Sequence, residues 1–95
     1  MNIVAFRQTL AASAPPDGLS QAMQALWWDA RGDWDRAHKC AMKQADADGC
    51  AVHAYLHRKE GDLENAGGWY ARAGREMATG TLEAEWQALV EALPG

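Results

Sequence analysis

Apolar residues recur at intervals of three and four along almost the whole chain, and no segment alternates between apolar and polar positions. Such spacing places apolar side chains on one face of an α-helix, whereas alternation would indicate a β-strand. Clusters of Pro, Gly and Asp separate the apolar segments and predict turns. The pattern predicts helices at about Asn2–Ala12, Leu19–Ala30, Trp34–Gln44, Cys50–Lys59, Leu63–Arg75 and Leu82–Leu93. We therefore expect a single all-α domain over residues 1–95, built from five to six helices.

Two of the predicted corners share the dipeptide Gly-Asp. Gly32–Asp33 follows the second helix and Gly61–Asp62 follows the fourth, a shift of 29 residues. Glycine adopts the left-handed conformation that stops a helix, and aspartate caps the amino terminus of the next one. A large apolar residue follows each corner, Trp34 and Leu63, and an alanine comes one turn later. We expect the large residue to pack against the preceding helix and the alanine to let the two helices approach closely.

The two units, ALWWDARGDWDRAHKCA and AYLHRKEGDLENAGGWY, resemble the tetratricopeptide repeat. In the second unit the likeness extends to Tyr70 and Ala73, and the two units together cover about residues 21–78. The resemblance implies two stacked helical hairpins, at about residues 20–44 and 49–75, with the first and last helices capping the two ends. Such arrays commonly hold a peptide or a partner helix in the groove between hairpins. It therefore implies a protein-interaction module with a protein or peptide partner.

A second resemblance rests on three phrases, LWWDARGDWDRAH, VHAYLHRKEGD and WYARAG. Together these phrases are similar to a set of small bacterial proteins of unknown function, and the similarity covers most of the chain. It implies a bacterial source and supplies no catalytic role.

Composition narrows the class of partner. The net charge is -4, with nine Lys and Arg against thirteen acids, and no basic cluster offers a nucleic-acid backbone a binding surface. The apolar runs are far shorter than the roughly 20 residues that cross a bilayer, and the amino-terminal segment lacks the pattern of a secretory signal. We therefore expect a cytoplasmic protein that binds neither nucleic acid nor membrane. A second copy of the chain, in a homo-oligomer, is the alternative partner.

Catalytic signatures are missing from the sequence. Cys40 and Cys50 are too few for a disulfide scaffold and lack the spacing of a zinc site. They favour reduced thiols, with a disulfide across the short loop between them as the alternative. No serine or cysteine lies beside an evident base, and no glycine-rich loop suits a phosphate group. We therefore expect no enzymatic activity and no bound cofactor.

His53 and His57 lie one helical turn apart, and this spacing lets two imidazoles hold one metal ion from a single helix face. In the zinc hydrolase motif a glutamate follows the first histidine, and this chain has Ala54 there. Further ligands are available in His38, Glu60 and Glu64. A middle helix of a stacked array is buried on two sides, which favours structural histidines, and we expect acids at the hairpin turns to serve as their polar partners. The pair is therefore either structural or a site for a metal ion or small molecule.

Tryptophans complete the candidate binding residues. Trp27 and Trp28 point about 100° apart on a helix, so one ring can be buried while the other reaches a neighbouring helix or the surface. Core packing is the simpler interpretation, and a groove for a peptide or a cationic group is the alternative. We take Trp28 as the candidate, together with Trp69, which lies in the same segment as the two histidines.

Gly67 and Gly68 interrupt the predicted fifth helix. Each glycine inside a helix costs up to about 1 kcal/mol relative to alanine. Close approach of a neighbouring helix would explain that cost, and a bend or a ligand contact is the alternative.

Overall fold

The protein consists of six α-helices and contains no β-strand. A computed structural model describes all 95 residues. The helices are α1 (Ile3–Thr9), α2 (Gln21–Ala30), α3 (Trp34–Met42), α4 (Ala47–Glu60), α5 (Leu63–Ala73) and α6 (Leu82–Ala92). The prediction of an all-α fold with five to six helices is confirmed. None of the six helices is long and apolar enough to pass through a bilayer.

The two Gly-Asp corners have the same geometry. Gly32 has φ +79° and Gly61 has φ +92°, a left-handed conformation that strains residues with a Cβ atom. At each corner the aspartate N–H donates to the carbonyl five residues earlier, at 3.0 Å, which closes the end of the preceding helix. The side chains of Asp33 and Asp62 then cap α3 and α5. The predicted stop and cap are therefore confirmed at both corners.

These corners fold the middle of the chain into two helical hairpins, α2 with α3 and α4 with α5. The hairpins lie side by side because α3 also packs against α4. As a result α4 contacts α2, α3, α5 and α6, and every residue from Gly49 to His57 is buried. The helix therefore has no solvent face over this stretch, and its polar side chains must find partners inside the protein.

The two terminal helices lie together. Phe6 of α1 packs on Trp86 of α6, with ring centroids 5.8 Å apart, and the Trp86 indole N–H donates to the carbonyl of Leu26 at 2.9 Å. The expectation that the first and last helices cap opposite ends is therefore wrong. Both aromatic residues instead complete the main core with α2 and α4. A smaller core joins α4 to α5 and consists of Ala54, Ala66 and Tyr70.

Of the two large residues that follow the corners, only Leu63 is not packed as expected. Leu63 is 55% exposed, because α5 contacts only α4 and no further helix covers this position. Trp34 is half-buried, and its indole N–H donates to the carbonyl of Leu56 in α4 at 2.9 Å. Trp34 also packs against the main core, which α2 and α4 share, and this side chain bonds to the next hairpin as well.

Helix α4 begins earlier than the predicted Cys50. The Asp46 side chain accepts a hydrogen bond from the N–H of Gly49 at 2.9 Å, so the segment ADADG contributes the first turn of the helix. A Cβ atom on Gly49 would lie 1.7 Å from the backbone oxygen of Gln44. The backbone can make this contact only because the residue is glycine. The nearby Cys50 and Cys40 are both free thiols, so no disulfide bond joins them.

The two glycines of α5 are not explained by a neighbouring helix. A Cβ atom on Gly68 would meet nothing within 4 Å, and one on Gly67 would meet only the Met77 methyl group at 3.6 Å. The expected close approach is therefore wrong, since α5 has no helix packed on that side.

Substituting alanine at two glycines should have opposite effects on stability. Gly49→Ala should lower the free energy of unfolding by about 1–3 kcal/mol, because the new methyl group overlaps the backbone of Gln44. Gly68→Ala should raise it by about 0.5–1 kcal/mol, because alanine fits the open helical position. Urea denaturation of both variants measures these changes. A Gly49→Ala protein as stable as the wild type, or a less stable Gly68→Ala protein, would contradict the packing described.

Candidate histidine site

All three histidines of the chain meet in one cluster between α3 and α4. The Nε2 atoms of His38 and His53 are 2.9 Å apart, which is hydrogen-bonding distance. One nitrogen from each of His38, His53 and His57 lies within 4.8 Å of the other two. We refer to these three residues as the histidine cluster. His53 and His57 are buried, and His38 is half-buried.

The cluster follows from the helix periodicity and from the contact between hairpins. His53 and His57 share one face of α4, with their rings stacked at 4.8 Å between centroids. His38 comes from α3, which lies beside α4 because the two hairpins pack together. The predicted helical pair is therefore present, and His38 is the third imidazole that the fold brings to it. Glu60 and Asp62 form a second potential ligand group with His57, again with ligand atoms within 4.8 Å of one another, and Glu64, another candidate third ligand, belongs to neither group.

Two tryptophans flank the cluster. Trp34 stacks on His38, with centroids 4.9 Å apart and ring planes 9° from parallel. Trp69 stacks on His53 at 3.8 Å and 14°, and its indole N–H donates to the side-chain oxygen of Asn65 at 3.0 Å. The indoles therefore restrict the orientation of both imidazoles. Trp34 was not among the predicted site residues, although it precedes His38 by one helical turn, the same spacing as in the pair on α4.

A carboxylate from the second corner orients His57. The Glu60 Oε2 atom lies 2.5 Å from the Nδ1 atom of His57. When Nδ1–H donates to this carboxylate, Nε2 keeps its lone pair free for another partner. The expectation that corner acids would serve as polar partners is confirmed for His57. For His53 the partner is His38, which carries no negative charge.

Burial lowers the pKa of His53 to about 4, with smaller contributions in the same direction from His38, His57 and Arg72. Burial also lowers the pKa of His38 below its usual value, with His57 adding to the effect. Both rings are therefore neutral at pH 7, and one donates the shared hydrogen bond while the other accepts it. A neutral imidazole is also the form that binds metal ions.

Trp28 lies apart from the other predicted site residues. Its ring packs edge-on against Trp27 at 5.0 Å, and the Arg36 guanidinium lies 4.5 Å from its centroid. It is half-buried against the main core. Of the four predicted site residues, the fold brings together His53, His57 and Trp69 and leaves Trp28 separate.

No protein-family model, curated protein or solved structure matches the chain. The tetratricopeptide resemblance and the protein partner that it implies therefore stay predictions.

The buried His53 should make stability depend on pH. The unfolded ring titrates near pH 6.5 and the folded ring near 4, so between these values the unfolded state binds more protons. The free energy of unfolding should therefore fall as the pH decreases from about 6.5 towards 4. His53→Gln removes this group and should flatten the dependence in that window.

Urea denaturation at several pH values, with EDTA present, measures the slope for both proteins. The slope is the informative quantity, because the substitution also changes stability at every pH. Equal slopes for the wild type and His53→Gln between pH 4.5 and 6.5 would show that His53 is not responsible.

Proposed function

We propose that the protein binds one divalent transition-metal ion through His38, His53 and His57. The observation that carries the proposal is the convergence of the only three imidazoles of the chain, each with a nitrogen within 4.8 Å of the other two. Imidazole ligands suit Zn²⁺, Cu²⁺ and Ni²⁺ better than Mg²⁺ or Ca²⁺, which prefer oxygen ligands. We therefore expect an ion such as Zn²⁺, Cu²⁺ or Ni²⁺.

The spacing of the nitrogens supports this proposal. Around a tetrahedral zinc ion with Zn–N bonds of 2.0–2.1 Å, two ligand nitrogens lie about 3.3 Å apart. Separations in the cluster begin at 2.9 Å for His38 and His53 and do not exceed 4.8 Å. Small rotations of the imidazoles would have to bring the three nitrogens to one ion. Binding through the Nε2 atoms of both His38 and His53 would place the proton of each ring on Nδ1.

The surroundings of the cluster also suit a metal ligand set. A ligating histidine commonly donates its other N–H to a carboxylate, which fixes the tautomer and the ring orientation. Glu60 occupies that position at His57. Trp34 and Trp69 cover two faces of the cluster and hold His38 and His53 in place. Three protein ligands leave at least one coordination position for a further ligand.

Zinc binding should be measurable with the purified, EDTA-treated protein. Isothermal titration should show one Zn²⁺ per chain for the wild type. At a free zinc concentration of about 100 times Kd, binding adds about 2.7 kcal/mol to the stability. For a domain of this size that corresponds to a rise in Tm of roughly 10–20 °C.

His38→Gln is the most informative variant, because His38 is the least buried of the three and its loss leaves the core intact. We expect its zinc affinity to fall by more than about 100-fold, beyond the range typical of supporting residues. Circular dichroism checks that the variant is folded. If the wild type takes up no zinc and its Tm does not change, the histidines are structural and the proposal is wrong.

Glu60→Gln tests the role of the carboxylate. We expect one zinc ion per chain to bind about 10–100-fold more weakly, because the amide orients His57 less well and lowers its basicity. Glu64→Gln is the matched control, since Glu64 is an exposed acid that belongs to neither potential ligand group. Its affinity should stay within about twofold of the wild type. Equal affinities for the two variants would exclude a specific role for Glu60.

A further inference from the structure

A groove opens beside the histidine cluster, between the end of α3, the start of α4 and the last turns of α5. His53 and Arg72 both line it, and Ala41, Met42 and Ala45 contribute apolar surface. We refer to it as the Arg72 groove. It is the one surface depression of the molecule that reaches a residue of the histidine cluster.

Arg72 is held in this groove by stacking. Its guanidinium lies 4.6 Å from the centroid of the Trp69 ring, and that ring stacks on His53 at 3.8 Å. Only the Trp69 ring therefore lies between the positive charge of Arg72 and the His53 ring of the cluster. Trp69 is itself fixed by its hydrogen bond to Asn65, so Arg72 rests on an oriented platform.

The guanidinium has no acidic partner within the chain. The five ion pairs of the protein all involve other side chains, although acids outnumber Lys and Arg. Asp62 and Glu64 line a neighbouring groove that also includes Arg72, and neither forms an ion pair with it. A planar guanidinium binds a carboxylate with two parallel hydrogen bonds. Arg72 is therefore free to bind one from outside.

The metal-loaded cluster would supply a second positive centre. The three imidazole ligands are uncharged, so a divalent ion would keep its charge in a largely buried site, and charge in such surroundings is costly unless it is paired. Glu60 and Asp62 lie next to His57, but neither acid lines the Arg72 groove. On the side of the groove, an anionic ligand at an open coordination position would therefore bring negative charge directly to the ion.

We infer that the Arg72 groove binds a short dicarboxylate, with one carboxylate on the metal ion and the other on Arg72. A single carboxylate is too small to reach both centres across the layers of Trp69 and His53. Two carboxylates joined by a few methylene groups would reach further, and Ala41, Met42 and Ala45 offer apolar surface to the methylene groups. This inference rests on the proposed metal site, because the first carboxylate needs the ion.

Cobalt-loaded protein provides the test, because the visible absorption of Co²⁺ changes when a ligand joins its coordination sphere. We expect glutarate to change the spectrum in a saturable way and to bind about 10–100-fold more tightly than butanoate. This range corresponds to the strength of a hydrogen-bonded contact with a charged group. Arg72→Gln should remove the advantage of glutarate and leave butanoate binding within about threefold of the wild type.

Arg75→Gln is the matched control, because it makes the same charge change at an exposed residue that lines a different groove. It should keep the preference for glutarate. If cobalt binds and glutarate has no advantage over butanoate, the inference is wrong and the metal proposal stands. If Arg72→Gln keeps that advantage, Arg72 is not the second contact and the inference is also wrong. If no cobalt binds to the cluster, both proposals fail together.

Discussion

The burial of α4 on all sides is the constraint on which the rest of the structure depends. A helix without a solvent face cannot leave its polar side chains to water, so each must be bonded to a neighbouring element or to its own helix. Tyr55 donates to Asp29 at 2.6 Å, and Arg58 donates to Glu85 at 2.9 Å. These contacts join α4 to α2 and to α6. The polar contacts of α4 therefore hold together the same helices that bury it.

The histidine cluster differs from these other contacts because no acidic side chain lies between His38 and His53. Asp29 also pairs with Lys59, and Glu85 also accepts from Tyr70, so both acids have their partners within the protein. Burial raises the pKa of Tyr55 and of Tyr70, which keeps both hydroxyl groups protonated as donors. In the cluster, by contrast, His38 and His53 bond to each other. Two imidazoles that share a hydrogen bond without an acid between them can give up that bond and turn both Nε2 lone pairs to a cation, once each ring carries its proton on Nδ1.

Much of this fold could be predicted because it is encoded locally. The corners at Gly32 and Gly61 depend on the conformation of one glycine and on the following aspartate. The pair of histidines on α4 depends only on the helical repeat. The earlier start of α4 was also encoded locally, since Asp46 stands three residues before Gly49 as a capping residue does.

Other features depend on contacts between distant parts of the chain and could not be read from local patterns. His38 reaches His53 only because α3 packs on α4, and nothing in the sequence around either residue determines that contact. The pairing of Phe6 with Trp86 joins the two ends of the chain. Leu63 is exposed because no helix lies beyond α5, although its position after the corner matches that of Trp34. Arg72 lies near the site because Trp69, one turn earlier on α5, stacks on His53. The contact between Trp69 and His53 depends on which face of α5 packs against α4.

A crystal structure of the zinc-loaded protein, with anomalous diffraction data at the zinc edge, tests the proposed metal site most directly. We predict one zinc peak inside the histidine cluster, with nitrogens of His38, His53 and His57 at about 2.0–2.1 Å. An empty cluster, with zinc only at surface carboxylates, would contradict the account.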